Sequence, residues 1–134
     1  MKVMLVVGAG QISMAIARRL GFGKKIIIGD KNPDNAQAMA QIMRNAGFDV
    51  ETMTMDLSSR TDIQQMVALG QQLGEIQMLV NGAGVSPSQA SIQTILQVDL
   101  YGTAVLLEEV GKVIAAGGCG VIISSQSGWR MPQL

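Results

Sequence analysis

The sequence predicts an α/β protein, a doubly wound parallel sheet of about five strands. Two observations lead to this fold class. Short apolar runs of strand length alternate five times with segments whose apolar residues recur at helical spacing. The connecting segments are long enough to hold helices, and helical crossovers between parallel strands are right-handed and favour a parallel sheet. The simplest strand order that satisfies these connections is 3-2-1-4-5.

The first strand is predicted at Val3 to Val7, and it runs directly into Gly8, Ala9 and Gly10. The next segment repeats apolar residues at helical spacing until two glycines stop it. These residues are Ile12, Ala15, Ile16 and Leu20, followed by Gly21 and Gly23. The run Ile26 to Ile28 predicts the second strand, and a single carboxylate, Asp30, follows at its end.

The second and third helices carry recognisable start signals. Asn32 precedes Pro33, which predicts a capped helix with proline in its first turn and an inner face of Ala36, Met39, Ala40 and Met43. The alternating segment Val50 to Met55 predicts an edge strand with one solvated face. Ser58 or Ser59 can cap the third helix, which ends at Gly74. Its inner residues are Ile63, Met66, Val67, Leu69 and Leu73.

The fourth strand is predicted at Ile76 to Val80 and is followed at once by Asn81-Gly82-Ala83-Gly84. A long helical pattern then covers about residues 92–115, as one helix or as two. Its expected inner stripe is Ile92, Ile95, Leu96, Leu106, Val110, Val113 and Ile114, with Asp99 and Gly102 on the same side. Residues 117–120 form a glycine-rich turn into a fifth strand, Val121 to Ile123, which ends at Ser124 and Ser125.

Composition limits the function classes. The 134 residues suit one domain, residues 1–134, and ten basic residues balance ten acidic ones, so neither nucleic acid nor an anionic membrane is expected as a partner. Apolar residues make up 48% and charged residues 15%, a balance that predicts an apolar surface meeting a partner and a homo-oligomer. No apolar stretch reaches the roughly 20 residues of a membrane span, and we expect a cytoplasmic protein.

The metal-ligating residue types are scarce. Cys119 is the only cysteine and histidine is absent, so an intrachain disulfide and any Cys/His zinc site are excluded, and we expect no metal. We interpret Cys119 as a small residue of the glycine-rich turn.

The glycine turn and Asp30 together predict a dinucleotide site. Glycines let backbone amides approach a pyrophosphate, the following helix N-terminus favours negative charge, and an acid after the second strand accepts hydrogen bonds from a ribose. The motif Gly8 to Ser13, including Gln11 and Ile12, keeps two glycines of the fingerprint but has Ser13 in place of the third. Asp30 favours NAD over NADP, and Lys31 can soften that preference. A ligand-free turn and a solvated acid are the structural alternatives.

Two further motifs resemble those of the short-chain dehydrogenase/reductases. Asp56-Leu57, after the third strand, is similar to the family's acid and apolar pair, which contacts the adenine. Asn81-Gly82-Ala83-Gly84 resembles the Asn-Asn-Ala-Gly segment that lines the cofactor site, with Gly82 in place of the second Asn. The resemblance implies a Rossmann-like NAD(P)-binding domain with NAD as cofactor.

The segment around Ser125 resembles the part of the family that carries the catalytic serine. Ser125 stands three residues before Gly128, and the resemblance implies that its hydroxyl holds the substrate oxygen. Asp99 stands where the family has an asparagine of a proton relay, and a carboxylate donates a hydrogen bond only when protonated. Apolar neighbours can raise the pKa of Asp99. A buried acid that caps a helix break is an equal alternative.

The family's catalytic Tyr-x-x-x-Lys has no counterpart in the printed chain. Its only tyrosine, Tyr101, has Val105 four residues on, and Leu134 comes nine residues after Ser125. We therefore expect this chain to bind the cofactor better than it turns it over. The resemblance also implies sixth and seventh strands beyond it, so we expect an uncovered edge at the fifth strand, from truncation or from pairing with a second copy that Trp129 and Met131 help to close.

Three functions remain open at this point. The leading hypothesis is an oxidoreductase that transfers hydride between nicotinamide and a small alcohol or carbonyl substrate. The alternative is a non-catalytic dinucleotide-binding or sensor module. A methyltransferase also places a glycine turn after the first strand and an acid after the second, but the Asn81 segment and the Ser125 segment argue against it.

Overall fold

A five-stranded parallel sheet in the order β3-β2-β1-β4-β5 organises the protein, seen here in a computed structural model that describes residues 1–84 and 90–125. The strands are β1 (Lys2–Val7), β2 (Lys25–Asp30), β3 (Asp49–Thr54), β4 (Glu75–Asn81) and β5 (Cys119–Ile122). The helices are α1 (Gln11–Leu20), α2 (Pro33–Asn45), α3 (Arg60–Leu73), α4 (Ile92–Ile95) and α5 (Thr103–Gly111), with a π-helical segment, Leu96–Gly102, between α4 and α5. The predicted fold class and strand order are confirmed.

The central strands are buried on both faces, which explains why their sequences are continuous apolar runs. Residues Val3 to Val7 of β1 are almost fully buried, and β1 pairs in parallel with β2 on one side and β4 on the other. One face of the sheet packs against α1 and α2, and the other packs against α3 and α5. The strand ends that follow Val7, Asp30, Thr54 and Asn81 therefore lie along one edge of the sheet.

The second and third helices follow their sequence signals. The buried residues of α2 are Ala36, Met39, Ala40 and Met43, as predicted. The Asn32 side chain accepts a hydrogen bond from the Asp34 amide at 2.9 Å, and the Ser59 hydroxyl accepts one from the Asp62 amide at 3.2 Å. Ser59, rather than Ser58, is therefore the cap of α3. Each helix satisfies one of its own free amides in its first turn.

The apolar repeat predicted for α1 does not mark its buried face. Ile12 is 58% exposed and Leu20 is also exposed, whereas the buried residues of the helix are Ser13 and Ala17. The helix lies so close to the loop after β4 that only small side chains fit between them. A Cβ placed on Gly82 of that loop would overlap the Ser13 hydroxyl, so larger apolar side chains remain outside.

The long helical region is interrupted, and the interruption explains a second wrong prediction. Ile92 is 77% exposed and Leu96 is also exposed, although Leu106 and Val110 are buried as expected. The π-helical segment adds a residue to the turn and rotates everything before it relative to α5. A single 3.6-residue stripe therefore cannot describe both ends. Gly102 ends the segment and packs against the Leu57 backbone, where a Cβ would lie 2.5 Å from its carbonyl oxygen.

The fifth strand begins earlier than its apolar run suggests. Cys119 is the first residue of β5 and is exposed, so its assignment to the turn was wrong. Beyond Ile122, the Ile123 amide still donates to the Asn81 carbonyl oxygen at 2.9 Å. Val121 is exposed at this edge of the sheet, as expected for an uncovered strand. Gln126, Ser127, Gly128, Trp129 and Met131 lie outside the described residues.

Candidate functional site

A cleft of about 500 Å³ opens at the carboxyl ends of β1 to β4, where ligands of open α/β sheets bind. Nine of the residues predicted for a site lie on its walls. They are Gly8, Gly10, Asp30, Lys31, Asp56, Leu57, Gly82, Ala83 and Gly84. The ends of β1 and β4, Val7 and Asn81, are 74 residues apart in the sequence, yet the residues after them line one concave surface.

The glycine turn lies between β1 and α1 and has no room for side chains on its inner side. Gly8 has a φ of 90°, a backbone conformation that favours glycine. A Cβ at Gly8 would lie 2.8 Å from the Ala83 amide nitrogen, so the turn and the loop after β4 are in direct backbone contact. Gly10 differs, because a Cβ there would meet nothing within 4 Å. The backbone of the loop after β4 thus fills the space beside Gly8, whereas the space beside Gly10 is open.

In the part of the chain that the structure describes, the N-terminus of α1 has no side-chain cap. Gly10 is its N-cap, without a side-chain hydrogen bond, and the first turn contains no acidic residue. The Met14 amide donates to the Gly10 carbonyl oxygen at 3.0 Å as the first bond of the helix. The amides before Met14 precede this ladder and carry the positive end of the helix dipole. Gln11 and Ile12 occupy this exposed first turn but do not line the cleft.

Asp30 ties the glycine turn to the end of β2. Its Oδ2 accepts a hydrogen bond from the Ala9 amide at 2.7 Å, and its Oδ1 accepts one from the Asn32 amide at 2.8 Å. An ionised carboxylate has about four lone-pair positions, so two amide donors leave room for further donors from the cleft. The carboxylate therefore fixes the turn and remains able to accept hydroxyl groups.

Asp56 is the second carboxylate of the cleft, and its environment keeps it ionised. The Ser58 hydroxyl donates to its Oδ1 at 2.6 Å and the Ser58 amide at 2.9 Å, while Lys31 Nζ lies 3.9 Å from its Oδ2. The hydrogen bond from the Ser58 hydroxyl lowers the pKa of Asp56. Burial of the carboxylate opposes part of this shift, and the positive charge of Lys31 adds to it. Next to it, the buried Leu57 supplies an apolar patch on the wall.

Asn81 holds the loop after β4, which forms part of the cleft wall. Its side chain is buried, and its Oδ1 accepts a hydrogen bond from the Ala83 amide at 3.1 Å. The Gly82 amide donates to the Val7 carbonyl oxygen at 2.8 Å and fastens the loop to β1. Asn81 therefore holds the turn that presents Gly82, Ala83 and Gly84 to the cleft, while it does not itself line the wall.

The two predicted catalytic residues lie outside the cleft lining. Asp99 belongs to the π-helical segment, and a Cβ at Gly84 would lie 3.2 Å from its Oδ1, so its carboxylate is beside the rim. Asp99 is exposed, which contradicts the alternative of a buried acid. Ser125 is exposed and comes three residues after the end of β5. The structure thus places Asp99 near the glycine loop and Ser125 at the same end of the sheet.

Sequence reasoning missed the contributions of helices to the cleft. Asn35 in the first turn of α2, and Thr94 and Val98 across the junction of α4 and the π-helical segment, line its walls. Asn35 follows a recognised cap, which is a signal that could have found it. Thr94 and Val98 depend on how the π-helical segment turns, and no local signal announces that. In the described residues, no cluster of acidic or cysteine side chains is arranged for a metal, and no helix is long and apolar enough to cross a membrane.

Comparisons with known proteins agree with this geometry. The family model described as short chain dehydrogenase matches residues 2–133. A short-chain dehydrogenase/reductase, bsc3, of Alternaria brassicicola is 38% identical over 97% of this chain and 47% of its own length. A short-chain dehydrogenase/reductase structure from Serratia marcescens is 26% identical with a TM-score of 0.83, over 98% of this chain and 58% of that one.

A further similar structure is an actinorhodin polyketide ketoreductase with NADPH. It is 27% identical with a TM-score of 0.82, over 96% of this chain and 55% of that chain. The chain therefore spans about half the length of the curated relatives it matches. The half that is matched contains all the strand ends that build the cleft.

Proposed function

The chain belongs to the short-chain dehydrogenase/reductase family, and we propose on this premise that it binds NAD as part of an oxidoreductase. The proposed reaction moves hydride between the nicotinamide and an alcohol or carbonyl substrate. The single observation that carries the proposal is the open N-terminus of α1 beside a glycine turn, at the carboxyl edge of a parallel sheet.

The pyrophosphate fits the uncapped end of α1. A dinucleotide carries negative charge at its centre, and the amides of Gln11, Ile12 and Ser13 precede the first backbone bond of the helix. Gly10 leaves the space in front of them free, since a side chain there would meet nothing. The chain supplies no acid in this turn that would repel the phosphates.

The adenosine half fits the ends of β2 and β3. Asp30 keeps acceptor capacity for the ribose hydroxyls, although it already accepts the Ala9 and Asn32 amides. Asp56, held ionised by Ser58, can accept the adenine amino group, and the apolar Leu57 can cover the ring. We assign these three side chains to the adenosine part of the cofactor.

We propose NAD rather than NADP because Asp30 would face a 2′-phosphate with a second negative charge. Among the described residues that line the cleft, Lys31 is the basic one, and its ammonium lies 3.9 Å from Asp56 with 79% of its side chain exposed. Family membership alone does not decide between the cofactors, since a similar ketoreductase structure contains NADPH. The argument for NAD therefore depends on the Asp30 carboxylate.

The catalytic roles are proposed from the resemblance and from placement. The nicotinamide, when bound, supplies or accepts the hydride. The Ser125 hydroxyl would hold the substrate oxygen, and Asp99, beside Gly84, would stand where the family has its relay asparagine. Protein groups that hold an oxygen where charge develops lower the barrier more than groups that bind the substrate and the transition state equally.

We also propose that the protein pairs with a second copy. Several large apolar side chains are exposed along the region from α4 to α5, and this exposed apolar surface supports the proposal. They are Ile92, Leu96, Leu100, Tyr101 and Leu107. The single free thiol, Cys119, is exposed, which supports a reducing compartment, and we propose the cytoplasm.

A titration with three nucleotides tests the proposed function. NADH, NADPH and S-adenosylmethionine are added separately to the 134-residue chain, and nicotinamide fluorescence or the heat of binding is measured. We expect saturable binding of NADH, weaker binding of NADPH and none of S-adenosylmethionine. Binding of S-adenosylmethionine without NADH would contradict the proposal. The variant Gly111→Ala, at an exposed position where a Cβ meets nothing, serves as the control.

A further inference from the structure

Ser13 and Gly82 occupy the same small space from opposite sides. Ser13 lies in the first turn of α1 with 0% of its surface exposed, and its hydroxyl has no hydrogen-bond partner in the part of the chain that the structure describes. A Cβ on Gly82 would overlap that hydroxyl, yet it would lie 3.4 Å from the Ser13 Cβ, an ordinary contact distance. The hydroxyl alone therefore keeps a side chain out of position 82.

A buried hydroxyl without a protein partner costs free energy, so hydrogen bonding within the protein does not explain this serine. Its volume does, because it fills the space over Gly82 that an alanine at position 13 would leave open. The two residues are matched in size. Ser13 has one heavy atom more than an alanine, the hydroxyl oxygen, and that atom faces Gly82, which has no side chain.

Movement at Gly82 would be passed directly to the cleft. The Gly82 amide donates a hydrogen bond to the Val7 carbonyl oxygen at 2.8 Å, and the next residue, Ala83, lies against Gly8 of the glycine turn. Both Gly82 and Ala83 line the cleft, as Gly8 does. A displacement of Gly82 by a few tenths of an ångström would therefore change the separation between these two walls.

We infer that Ser13 and Gly82 are a positioning pair that sets the spacing between the glycine turn and the loop after β4. The pair thereby adjusts the end of the cleft that receives the pyrophosphate and the nicotinamide half of NAD. The opposite end, built from Asp30, Asp56 and Leu57, belongs to the ends of β2 and β3. This inference rests on the proposed function.

Two single variants and their combination test the pair. Gly82→Ala creates the overlap, Ser13→Ala removes the hydroxyl, and the double variant has both changes. Gly111→Ala is the control for adding a methyl group to a glycine in open space. Melting temperature and the Kd values for NADH and adenosine are measured for each variant. Adenosine carries no phosphate and reports on the adenosine end alone, so a general loss of structure would weaken both ligands, whereas a change in spacing would weaken NADH alone.

We expect Gly82→Ala to lower the melting temperature and to weaken NADH binding about 10-fold, roughly 1.4 kcal/mol, with the Kd of adenosine changed less than about 3-fold. The double variant should recover most of both losses, because the overlapping atom is gone. If Gly82→Ala does not fold, folding of the double variant supports the pair. Failure of both to fold shows that the hydroxyl is not the obstacle and overturns it.

Other outcomes separate the pair from the proposed function. Additive effects of the two changes, or an equal loss of NADH and adenosine affinity in Gly82→Ala, would overturn the positioning role in a chain that binds NADH. A folded wild-type chain that ignores NADH would instead overturn the proposed function and the cofactor part of this inference. The melting temperatures of the four proteins would still decide whether the two residues are coupled.

Discussion

The first turns of α1 and α2 lie at neighbouring strand ends and treat their free amides in opposite ways. In α2, the Asn32 side chain accepts the Asp34 amide, and Asp34 adds a negative charge to the turn. In α1, the N-cap is Gly10, which has no side chain to accept an amide, and the first turn contains no acid. The third helix, α3, resembles α2, with Ser59 and Asp62 in these positions.

In this repeated strand and helix unit, a helix with a side-chain cap is more stable, whereas a helix with an open end can bind an anion. A self-capped helix satisfies its own amides and gains stability at once, typically about 1 kcal/mol for a side-chain cap. An uncapped helix gives up that gain and keeps its amides and dipole for an anion. Of the three helices α1, α2 and α3, the last two are capped by their own side chains and α1 is not, and α1 borders the cleft.

The largest effect is expected from Gly8→Ala, which breaks the open turn itself. Gly8 has a positive φ, and a Cβ there would press on the Ala83 backbone. We expect a loss of about 2 kcal/mol in the free energy of unfolding and a loss of NADH affinity of about 100-fold. Urea denaturation and NADH titration measure the two effects. Unchanged NADH affinity would show that the turn does not contact the cofactor.

The next largest effect is expected from Gly10→Asp, which would make α1 resemble α2. The backbone at Gly10 is extended and a side chain there meets nothing, so the carboxylate can cap the helix. We expect slightly higher stability, by a few tenths of a kcal/mol, and NADH binding weakened about 10-fold or more by repulsion of the phosphates. The uncharged cap Gly10→Ser is the matched control. Equal NADH affinity in all three proteins would contradict an anion site at α1.

A smaller and opposite effect is expected from Asn32→Ala, which removes the cap of α2. The Asp34 amide loses its acceptor, so the free energy of unfolding should fall by about 1 kcal/mol. The Asn32 backbone amide that donates to Asp30 is retained. NADH affinity should therefore change less than about 2-fold. A large loss of NADH affinity in a folded variant would show that α2 also holds the cofactor.

The smallest effect is expected from pH and Ser58. The Ser58 hydroxyl lowers the pKa of Asp56 below its usual 3.8. The hydrogen bond between them therefore stabilises the folded protein above pH 3.8, and this stabilisation disappears as the pH falls through the lowered pKa of Asp56. Thermal melts of wild type and Ser58→Ala should differ by a constant amount above about pH 5 and converge in stronger acid. A gap that widens below pH 4 would mean that Ser58 acts through another group.

Much of the fold follows from local patterns. The apolar runs of β1 and β2, the caps Asn32 and Ser59 and the inner face of α2 could be predicted because each depends on residues close in the sequence. The buried face of α1 could not, because it is fixed by the approach of Gly82, which comes 69 residues after Ser13. Helical spacing identified that helix but not the side that the sheet covers.

The residues of the candidate site also divide into those that could be predicted from nearby sequence and those that depend on distant contacts. Residues at strand ends were predictable, since parallel strands bring their carboxyl ends to one edge. The hydrogen bond from the Ala9 amide to Asp30 spans 21 residues and gives Asp30 a structural task that its sequence position does not reveal. Thr94 and Val98 reach the cleft only because a π-helical segment turns the helix there.

The most direct test of an open helix end for NAD is a map of amide chemical shifts in ¹H–¹⁵N spectra. NADH is titrated into the labelled chain, and the amides of the three first turns are compared. We predict that the largest changes in chemical shift occur at the amides of Gly10, Gln11 and Ile12. The amides of Asp34 and Asp62 are already hydrogen-bonded to side chains, and their chemical shifts should not change. Unchanged amides in the first turn of α1 at saturating NADH would contradict the account.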